Sequence, residues 1–350
     1  MINAIQRELS ILNSHAFSKL EDKTQIMMPK NTNSPIYKNR QTHSIEVAAL
    51  CKIIAMSINF DKVFETNNVG LLHDIGHSPF GHDGQKILDQ RMKEYGLKEG
   101  FDDNNNNFVT IKHNNIELSD YELVSIIKRP KKLYKSQKKE LLPILKDILK
   151  NEEKKYGKKQ TTMANVIMDR ADEIAYGLSD FVDGYNLDYT KDKINGFISN
   201  LIELAEDIKT KDILHQVQIN FLTKNSIGTF RSLMTELKQH FSTEAFYLDG
   251  KILLSSNNLM ILNKIISFNM VEFIKNPLIV EKREQDLKIF DNYISFIVEN
   301  KYFTSKKYAA KYAKLLESKN YSKENELRIF RDMIADSGDN FVLNFMKNRK

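Results

Sequence analysis

Apolar residues recur every three or four positions along most of the chain, which is the period of a helix with one buried face. Within 41–60 the apolar positions with this spacing are Ile45, Ala48, Ala49, Ile53, Ile54 and Met56. The same period predicts helices over 120–128 and 140–150, and one long helix over 162–183. From 191 to 350 the pattern is helical almost throughout. The pattern therefore predicts an all-α fold.

Short polar or glycine-containing segments divide the predicted helices. Gly76, Pro79 and Gly81 interrupt an apolar stretch that begins near residue 66. The polar run Asp102–Asn107 predicts a loop or the start of a helix. Glycine and proline number only 13 and 6 in 350 residues, whereas a β-sandwich or barrel needs many turns. Composition therefore favours helices over sheets.

Composition also excludes several classes of protein. Cys51 is the single cysteine, so the chain has no internal disulfide framework and no cysteine-rich zinc module. The first residues lack the apolar core of a secretory signal, and no run of 18 apolar residues is present to cross a membrane. Apolar residues make up 41%, which is too many for global disorder. We therefore expect a soluble, cytoplasmic protein.

Positive charge is concentrated in one segment. The net charge is +6, but residues 128–159 hold 13 Lys or Arg against 4 Asp or Glu, so the remainder of the chain is slightly acidic. This basic segment is either a solvated helix face or loop, or a binding site for phosphates or nucleic acid. The segment alone does not decide between these interpretations.

Histidines cluster with an aspartate in the first quarter of the chain. Four of the eight histidines, His43, His73, His77 and His82, lie within 40 residues. Imidazole nitrogen and carboxylate oxygen together suit a divalent first-row metal. Adjacent His73 and Asp74 can both be ligands if the chain turns there, and His43 would come from the preceding helix. The cluster therefore predicts a metal site.

A further ligand must come from farther along the chain, and residues 168–180 hold the best candidates. On a helix Asp172, Tyr176 and Asp180 share one face. They suit, in that order, a metal, a ring and a hydroxyl group. Taken alone, the segment is also compatible with a solvated acidic helix face.

Three motifs carry a resemblance to a known family. They are Arg40-Gln-Thr-His43, His73-Asp74-Ile-Gly-His77-Ser-Pro-Phe-Gly-His82 and Ala171-Asp172-Glu-Ile-Ala-Tyr176. The sequence resembles the HD-domain phosphohydrolases and, among them, the dGTPase-type deoxynucleoside triphosphate (dNTP) triphosphohydrolases. Weaker matches in the same order are Ala16–Gln25, Ile127–Pro130, and Asp332–Ala335 with Asp339.

The resemblance implies a role for each matching residue. The implied metal ligands are His43, His73, Asp74 and Asp172. The implied catalytic residues are His77, His82 and Gln85. Of these, His77 would also bind the α-phosphate. The implied substrate-binding residues are Arg40, Lys128 and Lys155 for phosphate, Tyr176 for the sugar, and Asp180 and Gln25 for the 3′-hydroxyl.

The resemblance also implies the reaction, the cofactor and the partners. A dNTP and water would give deoxynucleoside and inorganic triphosphate, with one divalent metal per site (Mn, Mg, Co, Fe, Ni or Zn, with Mn favoured). The HD-type core would span 1–200, and a helical C-terminal region, 201–350, would complete the pocket and supply an oligomer interface. Single-stranded DNA binding and a dimer or hexamer are further expectations, and no membrane partner is expected.

The chain departs from the family pattern near the histidines. Gln85 stands where the family has an acidic residue that orients and charges the catalytic histidine, and Asp102–Asn107 lacks the usual histidine or glycine. His113 is read mainly as an ordinary surface or core residue. Two alternatives follow: an HD phosphohydrolase for monophosphates or cyclic nucleotides, and a weakly active or non-enzymatic protein that binds nucleotides or single-stranded DNA.

Overall fold

The computed structural model describes residues 2–24, 38–157, 159–185, 191–223 and 227–349. The N-terminal half holds nine α-helices: α1 Ile2–Leu12, α2 His15–Ser18, α3 Arg40–Ser57, α4 Val63–Leu72, α5 Gly81–Tyr95, α6 Asp103–His113, α7 Asp120–Ser125, α8 Lys135–Tyr156 and α9 Met163–Tyr185. The C-terminal half holds α10 Lys191–Leu204, α11 Ile208–Leu222, α12 Ile227–Thr243, α13 Ser256–Asn269, α14 Pro277–Glu299, α15 Lys306–Leu316, α16 Lys323–Ala335 and α17 Asp339–Lys347. A π-helical turn, Met270–Ile274, follows α13. The all-α prediction is confirmed.

Strand structure within the described ranges is limited to one hairpin. Strand β1, Phe246–Leu248, pairs antiparallel with β2, Lys251–Leu253. The two-residue turn is Asp249-Gly250, in which both residues have positive φ, 48° and 79°. Asp-Gly is a preferred sequence for a tight hairpin turn of this kind. The sequence pattern predicted helix almost throughout 191–350 and did not predict this hairpin.

Several helices begin with a side-chain cap. Asn39 accepts the Thr42 N–H at the start of α3, and Asp102 accepts the Asn105 N–H at the start of α6. Such caps satisfy backbone donors that have no partner inside the helix. The polar run after Asp102 is therefore the first turn of a helix, one of the two outcomes that the sequence allowed.

Two apolar clusters form the core. In the first, α3, α4 and α9 pack against one another, and α12 and α13 pack onto α9. In the second, α5 packs against α14 and α16 around residues such as Phe290, Tyr293 and Phe330. The expected boundary near residue 200 stays a prediction, since α10–α13 contribute to the first cluster and α5 to the second. None of the described helices is long and apolar enough to cross a bilayer.

Candidate metal centre

Three side chains from three helices converge at the centre of the first cluster. His43 lies on α3, His73 is the residue that ends α4, and Asp172 lies on α9. Asp172 Oδ1 is 3.0 Å from His43 Nε2 and 3.6 Å from His73 Nε2. One ligand atom from each residue lies within 4.8 Å of the other two. Because α3, α4 and α9 pack together, residues 129 positions apart meet here.

Asp74 lies at the edge of this group, and its carboxylate contacts both His73 and an arginine. Its Oδ1 is 3.4 Å from His73 Nε2, and its Oδ2 accepts a hydrogen bond from Arg40 at 2.6 Å. Arg40 is 2% exposed and begins α3 one turn before His43. The guanidinium therefore holds the Asp74 carboxylate beside the two imidazoles.

The donor set fits a divalent cation. His73 donates Nδ1–H to the Gly70 carbonyl at 2.7 Å, so its Nε2 keeps a lone pair that faces Asp172. That Nε2 is buried and has no hydrogen-bond partner among the described residues. A ligating histidine normally donates its other ring N–H to a carbonyl or carboxylate in this way. Two imidazoles and two carboxylates suit Mn, Fe, Co, Ni or Zn.

The electrostatics of the group favour ionised carboxylates. Burial alone would raise the pKa of Asp172, but the neighbouring His73 and the hydrogen bond from His43 hold it well below its usual value. Burial likewise opposes ionisation of Asp74, but His73, His77 and Arg40 lower its pKa. Burial lowers the pKa of His43, which keeps that ring neutral. Neutral imidazoles and ionised carboxylates are the forms that bind metal.

Helix α6 holds the backbone that follows His73. Asn107 Oδ1 accepts the Gly76 N–H at 2.7 Å, and Asn107 Nδ2 donates to the His73 carbonyl at 2.8 Å. Asn106 Nδ2 donates to the Gly76 carbonyl at 2.8 Å. A Cβ on Gly76 would lie 2.3 Å from the Asn107 backbone nitrogen, so only glycine permits this close approach. The asparagine run is therefore a scaffold for residues 73–78.

The C-terminal helices hold the turn that leads to His82. Phe80 has φ 61°, a left-handed conformation that is uncommon for a residue with a side chain. Asp339, at the start of α17, accepts the Phe80 N–H at 2.9 Å and bonds Thr24 through its other oxygen. Lys23 donates to the carbonyls of His77 and Ala335. These contacts tie residues 77–80 to the far end of the chain.

A cavity of about 370 Å³ opens beside the ligand group. The residues that line it are Arg40, Asp74, His77, His82, Gln85, Asp103, Asn104, Lys128, Arg129, Asp172, Tyr176, Asp180 and Ile274. The rings of His77 and His82 meet edge to face with centroids 5.5 Å apart. Burial, with the charge of Arg40, lowers the pKa of both histidines. A second cavity of about 280 Å³ shares Arg40, His82 and Ile274.

The structure brings most of the expected site residues to this cavity. Lys128 Nζ lies 3.4 Å from Asp172 Oδ2, and Tyr176 and Asp180 follow Asp172 along α9. Lys155 lies elsewhere: its side chain is 57% exposed, and its Nζ is 3.9 Å from Asp61 Oδ2. Gln25 lies outside the described residues.

Several cavity residues were missed at the level of sequence. Asp103 and Asn104 belong to the polar run that predicted only a loop or helix start, and Arg129 belongs to the basic segment without having been singled out. The signal available for Arg129 was its position next to Lys128. His113 lines a different cavity, with its Nε2 3.9 Å from Asp332 Oδ2, in keeping with its expected role as an ordinary residue.

Comparison with known proteins places these residues in a family. The HD domain family matches residues 40–177, which include His43, His73, Asp74 and Asp172. A deoxyguanosinetriphosphate triphosphohydrolase-like protein of Leptospira interrogans is 27% identical over 343 residues, covering 95% of this chain and 85% of the relative. A protein of the same name from Wolinella succinogenes is 29% identical over 204 residues, covering 56% of this chain and 53% of the relative.

Among solved structures, a hypothetical protein from Aquifex aeolicus is 14% identical, with a TM-score of 0.39 over 93% of this chain and 71% of that chain. The motifs, the helical fold, the ligand group and the matched HD domain agree with one another. The chain therefore contains an HD domain at residues 40–177, and relatives that it resembles carry the name deoxyguanosinetriphosphate triphosphohydrolase-like protein.

Proposed function

We propose that this phosphohydrolase hydrolyses deoxynucleoside triphosphates to deoxynucleoside and inorganic triphosphate. The observation that carries the proposal is a single cavity in which a ligand group for a divalent cation adjoins Lys128, Arg129 and Arg40. The names of the curated relatives point to the same class of substrate.

His43, His73, Asp74 and Asp172 would hold the cation. When bound, a divalent cation supplies Lewis-acid charge that polarises a phosphoryl oxygen. Arg40 lies against Asp74, so its guanidinium would stand next to the cation and could contact the same phosphate. The reacting phosphorus would then lie between the ligand group and the two histidines His77 and His82.

The charge of the cavity suits a polyphosphate. A triphosphate carries about four negative charges, so its binding requires positive partners and few free carboxylates. Burial raises the pKa of Asp180 well above its usual value, and burial raises that of Asp103 to about 8. The raised pKa values reduce the negative charge that these two carboxyls carry, and Lys128 and Arg129, which line the same cavity, would contact the distal phosphates.

His82 is the candidate for the proton that the leaving oxygen requires. It lines both cavities, and burial together with the charge of Arg40 lowers its pKa. Incoming phosphate charge would raise that pKa and favour the imidazolium. A positioned acid of this kind contributes about 10²–10⁴-fold to rate. Gln85 lines the same cavity as His82 and would orient its ring by a hydrogen bond.

Tyr176 and Asp180 provide the sugar site. They follow Asp172 at one and two turns of α9 and line the cavity beyond the ligand group. A protonated Asp180 can both donate to and accept from a 3′-hydroxyl, and the Tyr176 ring would pack under the ribose where a 2′-hydroxyl would be excluded. The adjoining cavity leaves room for the rest of the nucleotide.

The test is product analysis with each of the four dNTPs and the four matching ribonucleotides, with Mn²⁺, Co²⁺ or Mg²⁺ added. We expect deoxynucleoside and inorganic triphosphate in equal amounts, and slower turnover of ribonucleotides. Release of only phosphate or pyrophosphate would show that the reaction is a different one. A monophosphate or cyclic nucleotide substrate would support the alternative HD activity.

A matched pair of lysine variants tests the role of the basic segment. Lys128→Ala removes the ammonium that lines the cavity and should raise the KM for dNTPs about tenfold or more. Lys150→Ala removes an exposed ammonium from α8 of the same segment and should leave the KM unchanged. Equal KM values for the two variants would contradict the proposed phosphate contact.

A further inference from the structure

Asp103 is a buried carboxyl that the proposed reaction has not used. It is 2% exposed in the first turn of α6 and lines the cavity. Its Oδ1 accepts the Ser78 N–H at 3.0 Å. Its Oδ2 has no hydrogen-bond partner in the described part of the chain, yet it lies 3.5 Å from His77 Nε2. An unpaired buried oxygen costs stability, so this position requires an explanation.

The His77 ring lies between two carboxyls. Its Nδ1 is 3.3 Å from Asp74 Oδ1, and its Nε2 is 3.5 Å from Asp103 Oδ2. Asp74 is held as an anion by Arg40, so it can only accept a hydrogen bond, which favours the tautomer of His77 with the proton on Nδ1. The Nε2 of a neutral ring then carries only a lone pair and needs a donor. Asp103 can satisfy it only if Oδ2 carries a proton.

The surroundings of Asp103 favour the protonated form. Burial dominates and raises its pKa to about 8, and nearby Asp74 acts in the same direction. The Ser78 N–H, Arg40 and Lys23 act in the opposite direction without overcoming burial. These groups, together with His77, are the polar and charged neighbours that face the carboxyl. The cavity also holds Gln85, an amide that cannot change its charge.

We propose that Asp103 is a positioning residue that donates Oδ2–H to His77 Nε2 and so holds the orientation of that ring in the tautomer that Asp74 favours. His77 in turn supports the His82 ring, with which it makes an edge-to-face contact. The catalytic part of this inference rests on the proposed function, whereas the tautomer of His77 does not.

Two substitutions of Asp103 distinguish a neutral hydrogen-bond donor from a charged carboxylate at this position. In Asp103→Asn, Oδ1 can still accept the Ser78 N–H, and Nδ2 provides a donor that cannot be deprotonated. In Asp103→Ala the donor is lost, and a buried Nε2 without a partner should cost about tenfold or more in kcat with little change in KM. Asp147→Asn, an exposed carboxyl on α8, is the matched control and should behave as the wild type.

The decisive measurement is kcat against pH for wild type and the three variants. We expect wild-type kcat to fall at alkaline pH as Asp103 loses its proton, and Asp103→Asn to keep its activity there. Asp103→Ala should be slow at every pH. The inference is overturned if Asp103→Asn is as slow as Asp103→Ala, which would show that a carboxylate is required, or if Asp103→Ala equals the wild type.

A second readout does not depend on turnover. Nitrogen NMR of ¹⁵N-histidine protein, with His77 assigned from a His77→Gln sample, reports which ring nitrogen carries the proton. We expect Nδ1–H in all three proteins, with the Nε2 resonance shifted by an accepted hydrogen bond in wild type and in Asp103→Asn but not in Asp103→Ala. An Nε2–H ring in the wild type would overturn the inference even if dNTP hydrolysis is observed. If no dNTP is hydrolysed, the proposed function fails, and the NMR result still decides the role of Asp103.

Discussion

Asn107 offers the clearest test of how the structure supports its metal centre. Its side chain is 1% exposed and makes two buried hydrogen bonds to the backbone next to the ligands. Its Oδ1 accepts the Gly76 N–H at 2.7 Å, and its Nδ2 donates to the carbonyl of His73 at 2.8 Å. The substitution Asn107→Ala removes both and leaves two backbone groups buried without partners.

The structure sets the size of the effect. Each buried backbone group that loses its partner costs about 1–3 kcal/mol, so the variant should lose about 2–6 kcal/mol of stability. A domain has roughly 5–15 kcal/mol in total, so this loss is a large and measurable fraction of the free energy of unfolding. Metal affinity should also fall, by about 10–100-fold, because the carbonyl of His73 is no longer held.

Urea denaturation and calorimetric titration with Mn²⁺ measure the two effects. Thr110→Ala, a half-buried position farther along α6, is the control and should change stability by less than about 0.5 kcal/mol. If Asn107→Ala matches Thr110→Ala in both stability and Mn²⁺ affinity, the scaffold role assigned to α6 is wrong.

Three other substitutions test separate parts of the account. Asp172→Ala should abolish metal binding while circular dichroism shows unchanged helical content. Burial raises the pKa of Glu46, but the charges of Lys238 and Lys38 outweigh it and lower that pKa to about 2. The ionised Glu46 therefore contributes at most about 3 kcal/mol to the free energy of unfolding. This contribution is present above pH 4.5 and is lost as the pH falls toward 2. Glu46→Gln should therefore remove that pH-dependent loss from the unfolding free energy. Asp339→Asn should cost about 1–3 kcal/mol, measured by thermal unfolding, because an amide cannot accept from both of its donors.

Each of these has an outcome that contradicts it. One Mn²⁺ per chain in Asp172→Ala would remove that residue from the ligands. An acid-induced loss of stability equal in Glu46→Gln and wild type would show that its charge is not coupled to folding. For Asp339 the control is Asn344→Ala, an exposed position of α17, and equal thermal stability of the two variants would refute the proposed link to the turn at Phe80.

Helical periodicity predicted most of the fold because the helices are long and bury one face. The expected helix over 162–183 is α9, Met163–Tyr185. The hairpin at 246–253 was not predicted because each strand has only three residues, too few for an alternating pattern to be visible. There the turn dipeptide Asp249-Gly250 was the better signal.

The candidate metal centre was predictable in part because its candidate ligands lie in short motifs. Its supports were not, because their partners are distant in sequence. Asp339 and Phe80 are separated by 259 residues, and the asparagines of α6 bond backbone groups about 30 residues away. Lys128 and Lys155 lie in the same basic segment, but α8 carries Lys155 to Asp61. Oligomer formation and single-stranded DNA binding stay predictions of the resemblance.

Anomalous diffraction from crystals of the Mn²⁺-loaded protein tests most directly whether the four side chains bind one metal ion. We expect one manganese peak per chain, bonded to His43 and His73 through imidazole nitrogen and to Asp74 and Asp172 through carboxylate oxygen. A peak at any other place, or four side chains that remain apart with no peak between them, would contradict it.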